Sequence, residues 1–207
     1  MVDLTYENEA RAASRGTVCG VDEAGAGPLC GPVCAAAVIL PEGCDIPGLN
    51  DSKKLTEKKR ETLFSVIQNI ALAYALAWVD EKEIDATDIL SARMKAMQLA
   101  IDGLSIHADF ALIDGNRDRG KSAAITTPHR CIIKGDSLSA SIAAASVLAK
   151  VSRDRFMVEV LDKRYPEYGF ARHKGYGTAL HRKMYEKYGP CPAHRMTFLK
   201  KWENRGA

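Results

Sequence analysis

The chain has 207 residues, of which 46% are hydrophobic and 27% are charged, and its formal net charge at pH 7 is +3. That length suffices for one domain with a sizeable core, and no apolar run approaches the roughly 18 residues that a membrane-spanning helix requires. Because the amino-terminal residues are too charged for a signal peptide and the six cysteines show no zinc-binding spacing, we expect a cytoplasmic protein whose cysteines are free, buried thiols.

The first half of the chain predicts alternating strands and helices. A short strand at 17–21 is followed by a glycine-rich turn and by a second strand that ends at Leu40, so the first unit resembles a β-hairpin. Residues 55–70 have helical periodicity, residues 71–79 predict a third strand although they are rich in alanine, and residues 83–104 predict a second helix.

The second half continues the alternation. Two further strands are predicted to end at Asp114 and at Asp136, and a long alanine- and serine-rich helix is predicted from about Ser139 to Tyr165. A last helix is predicted at 178–188. No repeat or linker marks a domain boundary, so we expect a single α/β domain over 1–207 in which 166–207 form a basic helical appendage.

Positive charge is concentrated near the carboxyl end. From Arg172 to Arg205 there are nine Lys or Arg residues and two acidic ones, a net charge of +7, whereas the rest of the chain sums to −4. Histidines and five aromatic residues are interleaved with these charges: Tyr176, Tyr185, Tyr188, Phe198 and Trp202. This mixture suits a polyanion whose sugars and bases stack on rings, but a solvated helix face with its aromatics in the core explains it equally well.

Three of the predicted strands end in acidic residues: Asp22 with Glu23, Asp114, and Asp136. Functional side chains collect at strand ends in α/β sheets, so four carboxylates converge if these strands are neighbours. Close carboxylates raise one another's pKa unless a cation lies between them. Hard oxygen ligands favour Mg²⁺ or Mn²⁺, and a pair of such ions is a recurring apparatus for cutting phosphodiesters.

Each acidic residue also has a structural explanation. Asp136 could cap the following helix, and Asp114 with Gly115 is a common turn pair. Asp22 and Glu23 could be a solvated strand end. Because side chains alternate along a strand, these two reach one site only if the strand ends or bulges at Glu23.

Two glycine-rich stretches resemble nucleotide-binding loops. "GAGPLCG" lacks the dinucleotide spacing, because Gly31 comes one residue late and a strand follows where a helix is required. "GNRDRGKS", Gly115 to Ser122, satisfies the P-loop pattern completely and follows a strand. Two threonines and Pro128 occupy the place of the phosphate-capping helix, so a P-loop nucleotidase is the less favoured alternative.

Several linked motifs together resemble one known family. They are "GVDEAGAGPLCGPV", "LNDSKKL", "LIDGN", "KGDS", "AAASVLAKVSRD" and "YGFARHKGYGT". They resemble ribonuclease HII, the bacterial type 2 ribonuclease H, from Gly20 to about Phe198 and in the family's order and spacing. The resemblance implies a ribonuclease H-like mixed sheet of about five strands flanked by helices, with a helical carboxyl region that covers the substrate.

The resemblance also implies the chemistry. The family's four acidic residues fall on Asp22, Glu23, Asp114 and Asp136, as catalytic residues and as ligands of Mg²⁺ or Mn²⁺. The family cuts RNA in RNA–DNA hybrids and at single ribonucleotides within duplex DNA, as in ribonucleotide excision repair, and leaves a 3′-hydroxyl and a 5′-phosphate. Two metal ions activate the attacking water and stabilise the leaving oxygen, so no side-chain nucleophile is needed.

Substrate-binding residues follow from the same resemblance. Gly25, Ala26 and Gly27 match the turn that senses the 2′-hydroxyl through its backbone, Tyr176 matches the tyrosine that stacks on the neighbouring deoxyribose, and Lys53 matches a phosphate contact. Relatives usually have arginine where this chain has Ala26, which leaves any guanidinium contribution in doubt. His173 and His194 are weaker candidates for assisting phosphate binding or product release, and Asp154 is expected to form a salt bridge.

The expected partners are RNA–DNA hybrids and duplex DNA that contains ribonucleotides. We expect no membrane association and a monomer, and the sequence leaves open whether a sliding clamp binds the tail. A non-catalytic nucleic-acid-binding protein remains a second alternative beside the P-loop nucleotidase.

Overall fold

The computed structural model describes the backbone of residues 2–203 and the side chains of residues 2–200. The side chain of Trp202 and all of Arg205, which belong to the predicted basic and aromatic segment, lie outside the described residues.

The core of the fold is a five-stranded mixed sheet with strand order β3-β2-β1-β4-β5. Strands β1, β2 and β3 are antiparallel, whereas β1, β4 and β5 are parallel. The predicted hairpin and the predicted mixed sheet are therefore confirmed. The strands are β1 (Val18–Ala24), β2 (Val33–Ile39), β3 (Ala73–Val79), β4 (Phe110–Asp114) and β5 (His129–Ile132).

Helices cover both faces of the sheet. Side chains of α4 pack on one face, and those of α2 and α5 pack on the other. No helix in the described part of the chain is long and apolar enough to cross a membrane. The helices are α1 (Thr5–Ala12), α2 (Glu57–Ile70), α3 (Glu81–Ala86), α4 (Ile89–Asp102), α5 (Ala140–Phe156), α6 (Asp162–Arg164), α7 (Phe170–His173), α8 (Ala179–Tyr188) and α9 (Met196–Glu203).

Three predicted elements differ from the structure. The helix predicted at 83–104 is two helices, because Asp88 leaves the helical conformation and caps α4 by accepting hydrogen bonds from the N–H groups of Leu90 and Ser91. The long helix predicted to Tyr165 is interrupted by a wider π turn at Met157–Leu161. The strand predicted to end at Asp136 ends at Ile132.

Helix α5 lies unusually close to β1. A Cβ atom on Gly20 would lie 2.2 Å from the backbone carbon of Ser141, so the absence of a side chain on the strand allows this approach. The buried carboxylate of Glu7, on α1, accepts hydrogen bonds from the Ser141 N–H at 2.8 Å and from the Ser139 hydroxyl at 2.6 Å. These contacts fix the first turn of α5 beside the strand that carries Asp22.

Candidate active site

Strand β1 remains regular through both of its adjacent acidic residues. Glu23 pairs with Ala35 and Ala24 pairs with Cys34, so the strand neither ends nor bulges at Glu23, as convergence of both acids had required. Asp22 and Glu23 therefore point to opposite faces of the sheet. Glu23 lies on the α4 side, where its Oε1 is 2.7 Å from Nε of Arg93.

Three of the four predicted acidic residues converge. One carboxylate oxygen from each of Asp22, Asp114 and Asp136 lies within 4.8 Å of the other two. The strands β1 and β4 are parallel neighbours, which brings the first two together. Asp136 does not follow a strand directly, because it lies in the short helical turn Gly135–Ser137 that leads into α5.

The structural alternatives for Asp136 and Asp22 are wrong. Ser139, not Asp136, caps α5. The Asp136 carboxylate is instead free to face Asp114, while its own N–H donates a hydrogen bond of 3.3 Å to Asp114 Oδ1. Asp22 is buried and is therefore not a solvated strand end.

The three carboxylates oppose one another electrostatically. Burial raises the pKa of Asp22 well above its usual range, and the charges of Glu23 and Asp114 raise it further. Burial also raises the pKa of Asp114 and of Asp136, and in Asp136 the neighbouring Asp114 adds to the effect. The positively charged and hydrogen-bonding groups around the cluster therefore do not fully neutralise its negative charge.

A divalent cation fits this donor set. All donors are carboxylate oxygens, the ligands that Mg²⁺ and Mn²⁺ prefer. Glu23 Oε2 is buried and has no hydrogen-bond partner among the described residues, although it lies near enough to Asp22 and Asp114 to raise the pKa of both. An unpaired buried carboxylate oxygen beside three converging carboxylates is the arrangement that a cation would complete.

Lys53 is held at the edge of this cluster. Its Nζ lies 3.6 Å from Asp136 Oδ2, and the side chain is 76% exposed. The turn that carries it is anchored to α5, because Ser146 Oγ donates a hydrogen bond of 2.7 Å to Ser52 Oγ. Partial burial opposes the charge of Lys53, but Asp22 and Asp136 outweigh that effect and raise its pKa.

The turn after β1 is held from inside by two buried arginines. Arg195 donates hydrogen bonds to the carbonyl oxygens of Gly25 (2.7 Å), Ala26 (3.3 Å), Pro28 (2.9 Å) and Gly31 (2.9 and 2.7 Å). The guanidinium of Arg195 and that of the second arginine, Arg153, are completely buried. No ion pair joins them to a carboxylate within the described part of the chain, so backbone carbonyls are their partners.

Arg153 completes this contact. It donates hydrogen bonds to the carbonyls of Pro32 (2.9 Å), Cys30 (3.0 Å) and Lys174 (3.1 Å). Gly25 has φ +101°, and a Cβ there would lie 2.2 Å from Nε of Arg153. Glycine is therefore required at this position both by its backbone angle and by the arginine behind it.

The turn and Tyr176 lie side by side. A Cβ on Gly27 would be 4.0 Å from Cε1 of Tyr176, whose side chain is 42% exposed. Backbone hydrogen bonds join this region to the carboxyl-terminal segment, from Leu29 N–H to the Gly175 carbonyl (2.8 Å) and from Arg195 N–H to the Leu29 carbonyl (2.9 Å). An exposed ring and an exposed glycine thus border the same surface.

The basic carboxyl-terminal segment has features of both interpretations of its sequence, the nucleic-acid-binding surface and the structural element. Tyr176 and Tyr188 are exposed, as a stacking surface requires, but Arg195 is a structural residue of the interior. His173 and His194 are buried, which argues against a direct phosphate contact, and their suggested part in product release stays a prediction. Asp154 forms the expected salt bridge, with Lys150 at 2.7 Å.

The P-loop-like stretch does not form a P-loop. No helix begins anywhere between Gly115 and Pro128, where the pattern requires one to cap phosphate. The segment instead crosses from β4 to β5 as an irregular loop, and the Ser122 N–H is bound to Ser91 Oγ at 3.0 Å.

Sequence analysis missed Arg93, Arg153 and Arg195. Arg195 was counted within the basic segment, because nothing in the sequence of that segment marks it as the buried cation. Except for Lys174, which is 21 positions from Arg153, the partners of these residues are 70, or more than 100, positions away along the chain, beyond the reach of any local pattern.

Comparison with known proteins gives a consistent result. A family model described as Ribonuclease HII matches residues 19–203. Ribonuclease HII of Ruminiclostridium cellulolyticum is 52% identical over 197 residues, which cover 95% of this chain and 75% of that protein.

Solved structures with the same fold include ribonuclease H2 from Pyrococcus horikoshii OT3. It has a TM-score of 0.70 and 30% identity, and the match covers 87% of this chain and 93% of that one. Bst-RNase HIII, solved in complex with Mn²⁺, shares the fold at a TM-score of 0.57 and 18% identity, over 84% of this chain and 63% of that one. With a family match across almost its whole length and this ribonuclease H-like sheet, the chain belongs to the ribonuclease HII family and is a ribonuclease H endonuclease.

Proposed function

We propose that the protein cuts the RNA strand of RNA–DNA hybrids and incises duplex DNA on the 5′ side of a single embedded ribonucleotide, leaving a 3′-hydroxyl and a 5′-phosphate. The observation that carries this proposal is the convergence of Asp22, Asp114 and Asp136 within 4.8 Å. Family membership and the Mn²⁺ complex of the related Bst-RNase HIII support a metal-dependent reaction.

Asp22, Asp114 and Asp136 are the proposed ligands of Mg²⁺ or Mn²⁺, and Glu23 is the proposed fourth. Two bound divalent ions would supply a water of lowered pKa and stabilise the charge on the leaving 3′-oxygen. The carboxylates would hold these ions in place beside the scissile phosphate. Because Glu23 lies on the opposite face of β1 from Asp22, it would have to reach an ion around the edge of the sheet, and it would do so through Oε2, since Arg93 holds Oε1.

Recognition of the ribonucleotide is proposed to depend on backbone N–H groups of the Gly25–Gly27 turn. In a trans peptide the C=O and the next N–H point in opposite directions, and the structure contains no cis peptide bond among its described residues. Because the Gly25 and Ala26 carbonyls accept hydrogen bonds from Arg195 inside the protein, the N–H groups of Ala26 and Gly27 face the other way. They can therefore donate to a 2′-hydroxyl or a phosphate oxygen.

Two side chains complete the proposed substrate site. Tyr176 lies beside Gly27 and offers an exposed ring on which a sugar can stack. Lys53 places a cation at the rim of the acidic cluster, where it can bind the backbone phosphate next to the cut. The exposed basic residues of 166–207, which do not include the buried Arg195, are proposed to lie over the duplex and to bind its phosphates.

The test uses a DNA duplex with one ribonucleotide and a matched all-DNA duplex, each with Mg²⁺, Mn²⁺ or chelator. We expect metal-dependent incision of the first duplex only, and a loss of at least about 10²-fold in Asp22→Asn because one ligand carboxylate is gone. The control is Lys121→Ala, which removes an exposed lysine of the P-loop-like stretch. Full incision by Asp22→Asn, or loss of incision in Lys121→Ala, would refute the proposal.

A further inference from the structure

A second group of possible metal ligands lies outside the acidic site, in the interior of the carboxyl-terminal region. It consists of Cys30 from the loop between β1 and β2, His181 from α8, and His194 from the loop before α9, all buried. The sulfur and one nitrogen from each ring lie within 4.8 Å of one another. Because Cys30 is more than 150 residues from both histidines, no sequence spacing could have indicated the group.

The distances match those between ligands of one tetrahedral metal ion. Cys30 Sγ is 3.5 Å from His181 Nε2, and the two Nε2 atoms of His181 and His194 are 3.1 Å apart. Metal–nitrogen bonds of about 2.0–2.1 Å and a metal–sulfur bond of about 2.3 Å at tetrahedral angles separate nitrogens by about 3.3 Å and sulfur from nitrogen by about 3.6 Å. These two separations match the expected values, and the third, between Cys30 Sγ and a His194 nitrogen, is at most 4.8 Å, so the group has the dimensions of a single metal site.

The outer nitrogen of one ring already has the partner that a metal-bound histidine needs, because such a ring donates its other N–H to a carbonyl or carboxylate. His181 Nδ1 is 3.0 Å from the Tyr176 carbonyl. His194 Nδ1 accepts a hydrogen bond from the Cys191 N–H at 2.9 Å and has the Cys191 carbonyl at 3.3 Å, so it would gain this partner only with a change of tautomer. The surroundings exclude water, because Met157, Phe170 and other apolar side chains enclose the group.

On this geometry we propose that Cys30, His181 and His194 form a binding site for one thiophilic transition-metal ion. Thiolate and imidazole together select Zn²⁺ or Cu(I) rather than the Mg²⁺ or Mn²⁺ that suits the carboxylates. The site is thus chemically separate from the acidic cluster and independent of the function proposed above.

Loading the site has a defined proton balance. Without metal, the Cys191 N–H donates to His194 Nδ1 at 2.9 Å, so the His194 proton is on Nε2 and points to His181 Nε2. Metal binding releases the thiol proton of Cys30 to solvent and moves the His194 proton to Nδ1, where the Cys191 carbonyl accepts it. The three metal–ligand bonds thus form at the expense of the Cys30–His181 and His181–His194 hydrogen bonds and of the Cys191 N–H bond to His194 Nδ1, which a protonated Nδ1 no longer accepts.

Charge favours the monovalent ion. The Arg153 guanidinium binds the Cys30 carbonyl at 3.0 Å, and Arg195 binds the adjacent Gly31 carbonyl at 2.9 Å. Exchange of the thiol proton for Cu(I) leaves the charge of this buried region unchanged, whereas Zn²⁺ adds one positive charge close to two others. We therefore expect Cu(I) to be held more tightly than Zn²⁺.

A bound ion would join three segments of the chain. Cys30 lies just after the Gly25–Gly27 turn, and both histidines belong to the carboxyl-terminal region. One ion would cross-link that region to the turn, and because it binds only the folded state it would raise the thermal unfolding temperature.

The experiment measures binding of Zn²⁺, and separately of Cu(I) under reducing conditions, to the whole protein by competition with a chromophoric chelator. Wild type is compared with Cys30→Ala and with the control Cys34→Ala, which removes a buried cysteine of β2 outside the group. Ions held by the carboxylates or by other cysteines are common to these variants and cancel in the comparison.

We expect wild type and Cys34→Ala to bind one ion more than Cys30→Ala, or to bind it at least about tenfold more tightly. Co²⁺ added to wild type gives an independent measurement that does not depend on how the variants fold. We expect thiolate-to-cobalt charge-transfer absorption, which carboxylate ligands cannot produce. Equal binding of both ions in wild type and Cys30→Ala, or a wild-type cobalt spectrum without thiolate absorption, would overturn the proposal and leave a hydrogen-bonded pair of neutral histidines.

Discussion

Replacement of Arg195 by methionine tests whether the buried guanidinium holds the substrate-binding turn. The side chain is completely buried and donates five hydrogen bonds to the carbonyls of Gly25, Ala26, Pro28 and Gly31. Burial lowers the pKa of Arg195 to about 9, so the group remains charged at neutral pH. Methionine keeps much of the length and apolar volume of the side chain but has no donor.

The expected loss of stability follows from the four backbone carbonyls that Arg195→Met leaves without a donor. Each buried acceptor left without a donor lowers the free energy of unfolding by about 1–3 kcal/mol. Removal of the buried charge offsets part of that loss, because the charge no longer has to be desolvated. We therefore expect Arg195→Met to lower the free energy of unfolding by about 3–5 kcal/mol. For a chain of this size each kcal/mol corresponds to about 2–4 °C, so the melting temperature should fall by roughly 6–20 °C.

Urea unfolding followed by circular dichroism at neutral pH measures this change. The control is Arg164→Met, which removes an exposed arginine of α6 and should change the free energy of unfolding by less than about 0.5 kcal/mol. Arg195→Lys should fall between the two, because it keeps the charge but cannot reach several carbonyls at once. If Arg195→Met stays within about 1 kcal/mol of wild type, the buried hydrogen bonds do not hold the turn and the reasoning fails.

Further predictions concern the acids and the turn. Asp22→Asn should abolish incision but raise the free energy of unfolding of the metal-free protein. This gain over wild type, measured by urea unfolding, should shrink as the pH is lowered, because the raised pKa of Asp22 means that the wild-type side chain then becomes neutral too. Gly25→Ala should cost about 1–3 kcal/mol from backbone strain alone. The matched Gly27→Ala should leave stability unchanged, yet slow incision, since its Cβ would lie beside Tyr176 on the proposed substrate surface rather than against Arg153. Ala26→Arg should tighten duplex binding and steepen the log–log salt dependence of the binding constant by about 0.9, and an unchanged slope in binding titrations would count against a phosphate contact.

The sequence was most informative about residues that lie at the ends of predicted strands. Asp22 and Asp114 follow from the alternation of strands and helices, since the ends of parallel neighbouring strands must meet. Asp136 was identified correctly as part of the cluster but for the wrong local reason, because a helical turn and not a strand carries it there. The catalytic and ligand roles of all four acids remain predictions.

The interactions between distant segments could not be predicted. The Glu23–Arg93 ion pair depends on how α4 lies across the sheet, and the same is true of the contact between α5 and Gly20. The inward orientation of Arg195 is a further case, since nothing in a basic segment marks which cation is buried. The geometry of these contacts arises only when the layers pack.

The backbone hydrogen bonds between the β1–β2 loop and the carboxyl-terminal segment also determine when this loop can fold during synthesis. Leu29 binds Gly175 and Arg195, and Gly31 N–H donates to the Ala193 carbonyl at 2.9 Å. During synthesis the sheet and its acidic residues emerge from the ribosome well before residues 175–195, so the turn acquires its partners only after those residues have emerged. A nascent chain that stops short of them would carry its acidic cluster without the shaped turn that we propose as the ribonucleotide sensor.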